Sequence, residues 1–130
     1  MEWEGHSSRQ IEKFVKVVVT QQEWVALWRR ALDEPAPEID FERYAVACIF
    51  LGHSAPWLYS IGIGKPYLRE NTMVIPYGLA DMILELVRPF KASGQYSMKV
   101  FEKTKGYDFA LEETLYSDKF MRPNLQGESR

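Results

Sequence analysis

The amino-acid sequence predicts an α+β fold in which one amphipathic helix packs on a mainly antiparallel, twisted β-sheet of about five or six strands. One segment carries the apolar period of 3.6 residues that a helix shows, and several others alternate with the period of two that strands show. A single helix cannot supply the crossovers that a parallel sheet of this size would need. The sheet is therefore expected to be mainly antiparallel.

A strand followed at once by a helix is predicted over residues 14–32. The run FVKVVV is rich in β-branched residues, which favour strands. Thr20 and Glu23 then form the T-x-x-E pattern of a capping box, and two prolines in residues 33–37 end the helix. The apolar stripe of this helix consists of Trp24, Leu27, Trp28, Ala31 and Leu32.

The remaining strands follow the helix along the chain. Residues 44–51, YAVACIFL, are nearly all apolar, which predicts a central strand covered on both faces. Further strands are predicted at 58–64, at 72–75 (ended by Pro76 and Gly78), at 81–87 and at 96–101. Turns are expected at 69–71 and 92–94, and the second of these would join the last two strands in a hairpin.

The chain of 130 residues suits one domain. Residues 1–12 are interpreted as a loose leader, residues 13–102 as a single α+β domain, and residues 103–130 as a C-terminal extension. The extension is too apolar for a purely solvated tail. It either packs back on the domain or docks on a partner.

Several function classes are disfavoured by composition. The net charge of −2 argues against a nucleic-acid binder, which is usually basic. No apolar run reaches the roughly 20 residues that a membrane-spanning helix needs. The first residues do not have the pattern of a signal peptide, so the protein is expected to be cytoplasmic if the chain is complete.

No catalytic or metal-binding pattern stands out. The single cysteine, Cys48, lies in an apolar run and is expected to be a buried hydrophobic residue. His6 and His53 lack a second ligand at zinc spacing. Three acidic residues, Asp33, Asp40 and Glu42, are read as solvated loop charges, with Asp40 a candidate cap for the turn before the strand. We therefore predict neither an enzyme nor a bound cofactor or metal.

Two segments are candidate partner-binding sites. The loop 52–59 carries His53, Pro56, Trp57 and Tyr59, and bulky aromatic residues in such a loop are typical interface anchors. Alternatively, Trp57 folds inward over the sheet edge. The extension carries the other candidates, Tyr107, Phe109, Tyr116 and Phe120.

A family resemblance appears in two adjoining segments. VVVTQQEWVALWRR combines a strand with a capped helix, and PEIDFERYAVACIFLG combines an acidic loop with a strand ending in Leu-Gly. In order and spacing, residues 14–102 resemble the PrcB-like domain, named for an accessory subunit of a bacterial surface protease complex. Where that family shows a Thr-Gly-Gly-Tyr turn, this chain has APWLY and retains only Tyr59.

The resemblance implies a non-catalytic module of the kind found on exported or lipid-anchored bacterial proteins, and hence an extracytoplasmic or envelope-associated location. We therefore predict a protein-interaction or accessory module, a subunit of a larger bacterial assembly with a protein partner. The alternative is a small-ligand-binding domain that uses a sheet face lined by Gly62 and Gly64. A third hypothesis, a small enzyme, requires carboxylates that converge in one cleft.

Overall fold

The computed structural model describes residues 1–5, 7–53, 59–81, 94–104 and 106–114. These residues form one helix and eight strands. In chain order they are β1 (Glu2–Gly5), β2 (Phe14–Val18), α1 (Gln21–Leu32), β3 (Tyr44–Phe50), β4 (Tyr59–Ile63), β5 (Tyr67–Arg69), β6 (Thr72–Asp81), β7 (Tyr96–Glu102) and β8 (Asp108–Glu113).

The first sheet has the order β1-β7-β3-β2, and every neighbouring pair is antiparallel. The near-continuous apolar run of β3 places it in the middle, where residues 45–50 are fully buried. The predicted central strand is therefore confirmed. The two outer strands of this sheet are β1 and β2.

Helix α1 covers one face of the first sheet. It begins as predicted, because the Glu23 backbone N–H donates to the Thr20 hydroxyl over 3.2 Å. It ends at Asp33, whose backbone is left-handed with φ 55°. The predicted stripe is confirmed: Trp24, Leu27, Trp28 and Ala31 are buried in one core cluster with the even-numbered side chains of β3, and Leu32 packs against it partly buried.

A second sheet covers the opposite face of β3. Its longest strand, β6, pairs antiparallel with β4 and β5 and pairs in parallel with β8. Ile49 and Leu51 of the first sheet meet Tyr77 of the second in a separate core cluster. The α+β, mainly antiparallel class is confirmed, but the described strands form two sheets and eight strands rather than one sheet of five or six.

Strand β6 runs through two residues that were expected to end it, Pro76 and Gly78. Proline lacks a backbone donor, so it fits a strand only where no donor is needed. Pro76 lies opposite residues 64–66, where the pairing register changes by one between β4 and β5. At this bulge Gly64 N–H donates to the Pro76 carbonyl over 2.7 Å, and no hydrogen bond from position 76 is required.

The predicted hairpin between residues 81–87 and β7 is wrong. Both edges of β7 are occupied, one by β1 and the other by β3. Asp81 belongs to the end of β6, and residues 82–93 lie outside the described part of the chain. The local alternation identified β7 as a strand but could not identify its partners.

The leader is bonded to the domain. Residues 2–5 form β1, which pairs with β7 along its whole length. Beyond it, Ser8 N–H donates to the Gly94 carbonyl over 3.0 Å, and Arg9 N–H donates to the Ala31 carbonyl over 2.6 Å. The extension also contributes: residues 108–113 form β8, so this part packs back on the domain. Residues 115–130 lie outside the described part.

A cleft between two strand edges as the candidate functional site

A cleft of about 800 Å³ lies between β2 and β8. Each of these strands is the last strand of its sheet, and no ladder joins them among the described residues. Apolar side chains form much of the wall, with Val15 and Val17 of β2 and the following residue Val19 on one side and Phe109 and Leu111 of β8 on the other. We call this space the β2–β8 cleft.

Next to one end of the cleft, beside Val15 and Leu111, a bridge joins the two sheets. Lys13 donates from Nζ to Glu113 Oε1 over 3.1 Å, and the Tyr77 hydroxyl donates to the same oxygen over 3.3 Å. Burial, together with the nearby Glu113 charge, raises the pKa of Tyr77 to about 12. Beside this bridge Val15 and Leu111 pack against the same core cluster, which holds the two strands together.

The other end of the cleft is open and polar. It is lined by Glu42, Lys103, Thr104, Tyr107 and Asp108. The Lys103 ammonium donates to the Phe41 carbonyl. Among the described residues, the carboxylates of Glu42 and Asp108 have no ion-pair or hydrogen-bond partner. Within the described part of the chain, the open end therefore presents two carboxylates without a partner and one lysine that is bonded to a backbone carbonyl.

Lys16 borders the cleft, but its charge is paired on the side of the helix. Its ammonium contacts Glu23 Oε2 at the start of α1. The hydrogen bond from Lys16 is the main cause that lowers the pKa of the Glu23 carboxyl; burial opposes it, and the charge of Lys16 lowers the pKa further. Lys16 is therefore turned away from the free edge of β2.

The Lys16–Glu23 pair makes a pH-dependent contribution that can be measured. In Lys16→Met, NMR titration should show the Glu23 pKa rising toward its ordinary value of 4.5. Because the folded-state pKa is lowered, the stabilisation is present above the unfolded value and is lost as the pH falls through the folded value. Both side chains are partly exposed, so the loss at neutral pH should be only about 0.5 kcal/mol.

Lys65→Met is the matched control for this titration, since Lys65 is an exposed lysine without a described ion-pair partner. It should leave the Glu23 titration unchanged. An equal shift in both variants would show that the overall charge of the protein, and not the contact with Lys16, lowers the Glu23 pKa.

Among the described residues, the structure shows no metal centre. No group of three His, Cys, Asp or Glu side chains within them could hold a metal ion. Cys48 is buried, and burial raises the pKa of its thiol above the usual range, which disfavours the reactive thiolate. Asp33 pairs with Arg9 over 3.1 Å, and Asp40 accepts the Glu42 backbone N–H over 3.1 Å as a turn cap.

The structure divides the predicted partner-binding residues into four groups. Tyr107 and Phe109 line the β2–β8 cleft. His53 does not line it, and its Nε2 lies 2.7 Å from the Ser8 carbonyl, where the leader crosses the end of the first sheet. Tyr59 begins β4 and its side chain is not described. Pro56, Trp57, Tyr116 and Phe120 lie outside the described residues.

Sequence reasoning missed one wall of the cleft, which the valines of β2 form. The signal was present, because the alternation in FVKVVV gives Val15, Val17 and Val19 a face opposite to that of Phe14 and Val18. Helix α1 can cover only one face of the first sheet. The prediction that β3 is covered on both faces therefore already required a second layer beside these valines.

Comparison with protein-family models, with curated proteins and with solved structures finds no match. The resemblance to the PrcB-like domain thus stays a prediction. Within the part of the chain that the structure describes, no helix has the length and hydropathy needed to cross a membrane.

Proposed function

We propose that this chain is a non-catalytic protein-interaction module, an accessory subunit whose β2–β8 cleft contacts its partner. The observation that carries the proposal is the cleft itself, where the half-buried aromatic residues Tyr107 and Phe109 stand opposite a row of valines. Aromatic side chains in a partly apolar depression commonly anchor interfaces, because they lose a large area of water contact on binding.

A small-ligand-binding domain is the second candidate function. It is favoured by the cleft volume of about 800 Å³, which falls within the range typical of small-molecule sites. In this version the ligand occupies the β2–β8 cleft and not the strand face at Gly62 and Gly64 that the sequence suggested. Both candidates use the same walls, so one set of variants tests both.

The test is affinity capture from the source organism. It compares the full-length chain with one double variant and one single variant. Tyr107→Ala/Phe109→Ala removes both aromatic side chains of the cleft. Leu68→Ala is the matched control, since Leu68 is a half-exposed apolar residue on β5 outside the cleft. We expect a specific protein to be retained by wild type and Leu68→Ala and lost from the cleft variant.

The interaction must then be reproduced with the two purified proteins by calorimetry, with the cleft variant weakening it at least tenfold. A partner that binds the cleft variant as tightly as wild type would overturn the proposal. Native mass spectrometry of the purified chain tests the second candidate: a small molecule bound to wild type and absent from the cleft variant, without a protein partner, would replace the first proposal by the second.

A further inference from the structure

Among the described residues, no strand pairs with the outer backbone edge of β2, which runs along the cleft. Leu51 N–H donates to the Gln95 carbonyl over 2.9 Å and continues the β3–β7 ladder. Because bonded pairs alternate in antiparallel sheets, Ile49 and Ala47 also bond toward β7. The alternate residues of β3, which are Phe50, Cys48 and Val46, bond toward β2. The partners of those residues are Phe14, Lys16 and Val18. Val15 and Val17 therefore direct their backbone groups outward.

The same reasoning shows that, within the described part of the chain, β8 also has an edge without a partner on the opposite wall. Asp108 N–H donates to the Asn71 carbonyl over 3.0 Å, and Thr114 N–H donates to the Tyr77 carbonyl over 2.7 Å. In a parallel pair alternate residues bond to the same neighbour, so the even-numbered residues of β8 bond to β6. Phe109 and Leu111 consequently direct their backbone groups away from β6, toward the cleft.

The edge of β2 differs from the outer edge of β1. That strand has four residues and carries Glu2 and Glu4, and short length and charge are ordinary ways to keep an edge from pairing. On β2 the one charged side chain, Lys16, is held by Glu23 on the helix side and leaves the edge uncovered. The β2–β8 cleft thus combines the unprotected edge of β2 with apolar walls, while the edge of β8 carries acidic residues, of which Asp108 lines the cleft.

The geometry points to strand addition, in which the β2–β8 cleft binds an extended segment of a partner protein. The partner segment hydrogen-bonds to the edge of β2 and places alternate apolar side chains against the valines. It carries a basic side chain at the open end of the cleft. The basic residue follows from charge complementarity, because among the described residues the carboxylates of Glu42 and Asp108 have no partner, whereas Lys16 contacts Glu23 and Lys103 donates to a backbone carbonyl. This inference rests on the proposed function and specifies the partner's chemistry.

Synthetic peptides provide the probe. We would titrate the isotope-labelled full-length chain with the peptide Ac-Lys-Val-Thr-Val-Thr-Val-Lys-NH2 and follow backbone amide signals by NMR. Three comparison probes are a peptide with Glu in place of both Lys, a peptide methylated on every inner amide nitrogen, and free lysine amide. The lysine peptide should shift the amides of Val15, Val17 and Phe109. The methylated peptide and lysine amide should not.

The charge part of the inference has its own control. The glutamate peptide should bind about tenfold more weakly than the lysine peptide, because at the open end it replaces an attractive contact by a repulsive one. Glu42→Gln/Asp108→Asn should abolish that difference. Glu2→Gln/Glu4→Gln removes the same charge from β1 and should preserve it.

Three results would overturn the inference: equal binding of the methylated peptide, shifts confined to residues 2–5 of β1, or no binding of any peptide. None of these decides the proposed function, which depends on whether the Tyr107→Ala/Phe109→Ala variant loses its protein partner. If that partner is lost while no peptide binds, the cleft is an interface that does not work by strand addition.

Discussion

Trp24→Ala is expected to lower the free energy of unfolding by about 4 kcal/mol, a large share of the roughly 5–15 kcal/mol that holds a domain of this size together. Trp24 is fully buried at the point where helix α1 meets the first sheet. Its ring centroid lies 5.4 Å from that of Trp3, 5.6 Å from that of Trp28 and 6.1 Å from that of Phe41. Alanine would leave a cavity among three rings that cannot all move in to fill it.

The indole N–H of Trp24 adds a polar contribution that can be separated from packing. Nε1 donates to the Pro37 carbonyl over 2.8 Å and so fixes the loop after the helix. By contrast, Trp28 Nε1 is buried without a partner among the described residues. Trp24→Phe should therefore cost about 1–3 kcal/mol more than Trp28→Phe, since only the first leaves a formerly bonded carbonyl unpaired.

Urea unfolding followed by circular dichroism measures all three variants, because the signal does not depend on which tryptophan remains. Similar losses for Trp24→Phe and Trp28→Phe would show that the Pro37 contact contributes little. A loss below about 2 kcal/mol for Trp24→Ala would show that the aromatic cluster repacks around the missing ring.

The helix and the central strand could be predicted because their signals are local. A capping box and an apolar stripe define α1 within thirteen residues, 20–32. The unbroken apolar run of β3 predicts burial on both faces of the strand. The choice of strand partners is not local, and this is where prediction failed. No residue pattern within 81–101 indicates that β7 pairs with β1 at the beginning of the chain.

The candidate site was predictable only in part for the same reason. Tyr107 and Phe109 were selected because aromatic residues beyond an apparently finished domain need an explanation. Their position opposite the valines of β2 depends on the parallel pairing of β8 with β6, which joins segments more than thirty residues apart. A free strand edge is a property of the assembled sheets, so no residue pattern in β2 alone could reveal it.

Gly94→Ala is expected to destabilise the fold by about 3 kcal/mol, because it combines an unfavourable backbone conformation with a clash. The φ angle of Gly94 is +70°, and a Cβ atom there would lie only 2.3 Å from the Ser8 carbonyl oxygen. That oxygen also contacts His53 Nε2, and Gly94 itself accepts the Ser8 backbone N–H. The added methyl group must therefore push the leader off the end of the first sheet.

Gly106→Ala separates the two causes. Gly106 has a φ of +84°, but a Cβ atom at this position would have no neighbour within 4 Å. It should cost only the left-handed backbone preference, about 1 kcal/mol. Urea unfolding gives both values, and hydrogen exchange should show weaker protection of the Ser8 and Arg9 amides in Gly94→Ala alone. Equal losses in the two variants would mean that residues 8 and 9 yield to the methyl group at little cost. The hydrogen bonds that join the leader to Gly94 and Ala31 would then be weak, and the first sheet would be held chiefly by its own ladders and by α1.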